Sequence, residues 1–205
     1  MKRFKITFDW KLDPVAIVAL ILSSFAALSA FYAWVNGPSI RLITPYRVAL
    51  YTDTAPNGSL IVRIAAPMSY ANVAQAPYGT LVVKELATMS VGDVKSVQEW
   101  NAFGEIARSN ISATDAVLPQ SLPGQSAASH ITLFTALPGA NYITPEKLLA
   151  ATKGATALRF EFTIQLIEGR QLMKTCEVPL NQIAREQLVQ LTSTLFYAAC
   201  QSKGG

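Results

Sequence analysis

The 205-residue sequence predicts a single N-terminal transmembrane helix followed by a mainly β domain, an antiparallel β-sandwich of immunoglobulin-like architecture with two small helices. Three observations predict it. Residues 14–35 carry no charge; the segments after them alternate apolar and polar residues with period two; and two later stretches carry helical signals.

The helix comes first. From Pro14 to Val35 the chain runs 22 residues in which Ser23, Ser24 and Ser29 are the only polar side chains besides the tyrosine hydroxyl. At about 1.5 Å per residue this is roughly 33 Å, close to the ~30 Å hydrocarbon core of a bilayer. Asp13 and Pro14 supply an N-cap and a first-turn proline, and Asn36-Gly37-Pro38 supplies a glycine cap and a stop. Trp10 precedes the run and Tyr32 and Trp34 close it, which suits amphipathic rings at the two membrane interfaces. A cleaved secretory signal is the competing reading. Its apolar core would be shorter, about 7–15 residues, and the best small-x-small site, Ala27-Leu28-Ser29, lies inside this run.

Orientation follows from charge. Lys2, Arg3, Lys5 and Lys11 precede the helix, whereas only Arg41 and Arg47 follow it closely. The positive-inside rule then places residues 1–13 in the cytoplasm, residues 14–35 in the inner (plasma) membrane, and residues 36–205 outside it, as a periplasmic or extracellular domain. Four of the 17 Lys and Arg and two of the 13 Asp and Glu lie before Gly37, leaving 13 against 11 in the exported part. A nearly neutral domain without a basic run is not expected to bind nucleic acid. Cys176 and Cys200 fall on the exported side, where an oxidising compartment lets them bond; two buried free thiols are the alternative.

Along the exported chain, "IRLITPYRVALY" reads as a half-buried strand interrupted at Pro45, and "APNGS" as a turn. "LIVRIAA", "TLVVKELATM" and "VGDVKSVQEW" read as strands, the last two joined near Gly92-Asp93. Residues 109–129 are rich in small polar residues and proline, with one charge at Asp115, and are expected to be a mobile loop. "TPEKLLAATKG", Thr144 to Gly154, has an N-cap threonine, a first-turn proline, an early glutamate and a terminal glycine, the full punctuation of a helix. Residues 158–178 place Leu158, Phe160, Phe162, Ile164 and Leu166 on one parity, turn at Gly169, and return with Leu172, Cys176 and Val178 on one face, a hairpin with one wet side. Ala184, Leu188, Leu191 and Leu195 share a face at helical spacing, predicting an amphipathic closing helix over 181–200.

Chemistry is sparse. His130 is the one histidine and no CxxC, HExxH or glycine-rich phosphate loop accompanies it, so no metal, no cofactor and no catalytic residue is expected, and His130 reads as structural or surface. Glu161 and Glu177 could face each other across the hairpin, although Arg159 and Lys174 beside them suit an ordinary solvated face. In the tail, Phe4, Ile6, Phe8 and Trp10 alternate with polar residues; this is the pattern of a strand that could pair with a partner's sheet edge, or of rings resting among lipid headgroups. The expected function is therefore non-enzymatic: a membrane-anchored domain, held in the lipid bilayer, that binds a partner protein or supports an envelope assembly. A bitopic structural component of a secretion or pilus-type machine is the alternative, and an envelope hydrolase the second alternative.

Overall fold

The computed structural model describes residues 14–35, 37–55, 57–75, 78–107, 110–137 and 142–201. The chain divides into two units, residues 1–37 and 38–205. In the first, the helix α1 (Pro14–Val35) is long and apolar enough to span a membrane. Every side chain from Pro14 to Tyr32 is exposed. The Ser23 and Ser29 hydroxyls donate to the carbonyls of Leu20 (3.0 Å) and Ala26 (2.8 Å). Those two polar groups thus find partners within the helix.

Among its described residues the second unit has eleven strands: β1 (Ile40–Ile43), β2 (Arg47–Thr54), β3 (Leu60–Asn72), β4 (Thr80–Val91), β5 (Val94–Ala107), β6 (Asn110–Ala116), β7 (Gln120–Leu122), β8 (Ser126–Ala136), β9 (Ala157–Leu166), β10 (Gln171–Pro179) and β11 (Phe196–Ala199). Two helices interrupt them, α2 (Pro145–Thr152) and α3 (Gln182–Val189). All strands join one sheet in the order β10-β9-β4-β5-β8-β3-β2-β11, with β1 on β3, β6 on β5 and β7 on β4. The mainly antiparallel β domain is as the periodicity predicts. The two-sheet sandwich is not found: the pairings run unbroken across one sheet, curled as a half-barrel. Period two marks one face of a strand as buried, but it does not tell whether the facing surface belongs to a second sheet or to the far side of the same one.

The concave face holds the core, including Ile64, Met68, Met89, Phe134, Phe160, Phe162 and Phe196, all fully buried. The helices close over it. Thr144 caps α2, and Leu148 of α2 and Ala184 and Leu188 of α3 join the same cluster. Arg185 of α3 donates to the Thr152, Ala155 and Leu180 carbonyls at 2.6, 2.7 and 3.1 Å, so a cation satisfies acceptors at and beyond the C-terminal end of α2.

Three local features explain how the strands keep register. Pro67 sits in mid-strand, at the gap where β3 has left β2 (paired through Ala65) and not yet met β1 (paired from Ser69), so its missing N–H interrupts no ladder on that side. Gln98 is fully buried; its amide accepts from Ile64 N (3.0 Å) and donates to Val62 O (2.9 Å), satisfying β3 near the end of its pairing with β8. Gly104 lets β6 approach β5 closely, because a Cβ there would overlap the Ser112 carbonyl oxygen and come within 2.8 Å of Leu133 Cδ1. Gly104→Ala is expected to lower stability by about 1–3 kcal/mol through overpacking, read as a lower urea midpoint at unchanged slope.

Two expectations need correction. Residues 110–129 are not a loop: they form β6, β7 and the start of β8. β6 is almost wholly exposed on both faces, so no alternation is written into it, and backbone pairing to β5 holds it instead. The 181–200 helix ends at Val189. Beyond it the Ser193 and Thr194 hydroxyls and backbone N–H groups all turn back to the Gln190 carbonyl, competing with helix continuation, and residues 196–199 leave as β11 to cover part of β2.

Candidate functional site

A buried polar cluster spans the concave face. Glu85 of β4 is fully buried, and its Oε1 lies 2.8 Å from His130 Nε2 and accepts from the Tyr70 hydroxyl at 3.2 Å, while Oε2 accepts from the Thr132 hydroxyl at 2.6 Å. A bulge puts Glu85 there. β4 pairs Val82 with Leu166 but Lys84 with Gln165, so Val83 is an extra residue and the inward parity passes from Thr80 and Val82 to Glu85, Ala87 and Met89. His130 and Thr132 share the inward parity of β8, and Tyr70 that of β3. The rings close the site: Phe103 lies against His130 with centroids 4.3 Å apart, and Tyr70 meets it edge-on at 5.7 Å.

Burial, then the Glu85 charge, then the hydrogen bond to it push the Tyr70 phenol well above its ordinary pKa, so Tyr70 stays a neutral donor. A carboxylate with both oxygens engaged by a phenol, an imidazole and a hydroxyl is a satisfied hub that ties β4 to β3 and β8. It holds strands. His130 is thus not the isolated residue that the sequence suggests: its partners Glu85 and Tyr70 were missed because they reach it from two other strands, β4 and β3.

A second constellation lies where the ends of the curled sheet meet. Cys176 of β10 and Cys200 are joined by a disulfide, with S–S 2.03 Å and Cα–Cα 5.3 Å. Beside it Glu177 and Gln201 form an antiparallel bridge, N–H to O at 3.0 and 2.9 Å. Cys200 N also donates to Tyr46 O at 3.0 Å. Next to this seam the Arg47 guanidinium lies 5.3 Å from the ring centroids of both Tyr46 and Tyr197 and donates to the Tyr197 hydroxyl at 3.1 Å. These are exposed side chains of the types that dominate protein interfaces.

The hairpin carboxylates do not face each other: Glu177 lies opposite Arg159 and binds it at 2.8 Å, and Glu161 lies opposite Thr175. Among the described residues no three His, Cys, Asp or Glu side chains gather as a metal site. Tyr32 is exposed near the C-terminal end of α1. Phe4, Ile6, Phe8 and Trp10 lie outside the described residues, as does the Trp34 side chain.

Two open clefts flank the sheet. One of about 450 Å³ lies between the end of β4 with Gly92 and residues 154–157, with Arg159 and Glu177 on its wall. The other, of about 340 Å³, is bounded by Tyr51, Thr52 and Asp53 of β2, by Asn110 and Ile111 of β6, and by residues 191–195. No protein-family model matches the chain, and no curated protein matches its sequence.

Proposed function

We propose that the chain is a single-pass membrane protein whose exported β domain binds a partner protein in the cell envelope. The observation that carries this reading is α1. It has 22 residues without a charge, every described side chain exposed, and two of its serines bonded to its own backbone. The basic residues before it favour a cytoplasmic N-terminus, and the cystine suits an oxidising compartment. The buried Glu85 cluster is committed to structure, whereas Tyr46, Arg47 and Tyr197 are offered to solvent, which favours binding over catalysis.

Topology is the test. Alkaline phosphatase fused after Gly205 should be active, the protein should stay in membranes through carbonate extraction, and its intact mass should include residues 1–35. A fluorescent cytosolic fusion would reverse the orientation. A mature form beginning near residue 30 would make α1 a cleaved signal and remove the anchor.

A further inference from the structure

We propose that the free half of the β2 edge is a strand-addition site that takes a short extended segment of a partner protein, running antiparallel to β2. The chain's own β11 already pairs with this edge, but only from Arg47 to Leu50. From Tyr51 to Thr54, β2 has β3 on one side and, among the described residues, no strand on the other. The residues that would continue β11, 191–195, turn away to the Gln190 carbonyl and become the outer wall of the 340 Å³ cleft. Three consecutive residues, Tyr51, Thr52 and Asp53, line that cleft; because their side chains alternate between faces, the surface they share is the strand edge.

The register shows which backbone groups are presented there. Val62, opposite Thr52, gives its N–H to Ile143 O (2.8 Å) and its C=O to the Gln98 amide (2.9 Å), both away from β2. Thr52 and Val62 are therefore a non-hydrogen-bonded pair, and the Thr52 N–H and C=O point into the cleft. Leu50, two residues earlier with the same parity, meets Phe196 of β11 on this side. A segment of three residues in a strand is about 10 Å long and sits ~4.8 Å from its neighbour.

Side chains set a preference. The residue opposite Tyr51 points to the convex face, where Tyr51 and Ile111 offer apolar surface. The residue opposite Asp53 points the same way, toward a carboxylate that is 45% exposed beyond its 2.9 Å pair with Arg63, so an acidic side chain is disfavoured and a basic one favoured. Antiparallel addition then reads basic, small, apolar from N to C.

The inference deepens the partner-binding reading and rests on it for the ligand being a protein. Its test is independent of topology: the full-length chain in detergent micelles is titrated with the capped pentapeptide Thr-Ser-Lys-Thr-Val, whose last residue falls opposite Tyr51, short of the ladder with β11. Saturable binding should slow hydrogen exchange at the Thr52 amide. Methylating the nitrogen of the threonine after the lysine, which removes the donor facing Thr52 without altering the protein, should weaken binding at least tenfold, on the order of 1.4 kcal/mol. Replacing the peptide lysine by glutamate should weaken it severalfold, and Asp53→Lys should invert that preference. No binding, or equal binding of the methylated peptide, overturns the proposal. So does concentration-dependent dimerisation that protects Thr52 without peptide, which would make a second copy the occupant.

Discussion

Glu85→Ala is expected to lower the stability of the β domain by about 3–5 kcal/mol, the range for removing one partner from a buried charged cluster. The loss comes from what remains: the Tyr70 hydroxyl, His130 Nε2 and the Thr132 hydroxyl, which lie 3.2, 2.8 and 2.6 Å from the carboxylate, would be stranded in the core. Glu85→Gln keeps the shape and one acceptor but turns an NH₂ toward a donor, so its cost should fall between that of the alanine and Tyr70→Phe. Tyr70→Phe should cost only about 1 kcal/mol, because it removes a single neutral donor and leaves the carboxylate with two partners. Denaturant midpoints at unchanged slope provide the measurement. If Glu85→Ala costs less than Tyr70→Phe, the carboxylate is not the hub of the cluster.

The same cluster shows where sequence reading stops. The 158–178 hairpin and α2 are legible because their signals are local: strict alternation around Gly169, and Thr144 with Pro145 at a helix start. Glu85 is not. In "TLVVKELATM" an uninterrupted alternation would place Lys84 with Val82 and leave Glu85 facing solvent; only the extra residue Val83, visible in the register with β9, reverses this. His130 could be noticed in the sequence, but its partners lie 45 and 60 residues upstream, on strands that are not its neighbours in sequence. The closing segment fails for a different reason. Ala184, Leu188, Leu191 and Leu195 do fit a helical face, yet Leu191 is buried after the helix has ended, so one apolar spacing serves two structures. The continuity of the sheet follows from long-range pairings such as β4 with β9 and β3 with β8, for which no local pattern exists.

The joint substitution Cys176→Ala/Cys200→Ala should cost about 3.5 kcal/mol if the bond acts by restricting the unfolded chain, since it closes a loop with a sequence separation of 24. Reductant should impose a similar loss on the native protein and none on the double variant, with thiol content checked by mass. The fold adds a local effect. β11 is four residues long, and the bridge at Glu177 is its link to the opposite end of the sheet. Fixing each of its residues costs about 1–2 kcal/mol of backbone entropy. Burial of Phe196 returns about 1.5–3 kcal/mol, so the strand depends on its covalent tie and its ladder with β2. Amides of residues 196–201 should therefore exchange faster in the double variant than those of β9, whose Phe160 and Phe162 lie in the core and whose edges are both paired. Uniform acceleration across β9 and β11 would mean that the bond stabilises the domain as a whole and does not latch the seam. Because β11 covers half of the β2 edge, fraying at the seam would lengthen the open edge from Thr54 back to Arg47. The oxidised bond thereby sets how much of that edge a partner strand can reach.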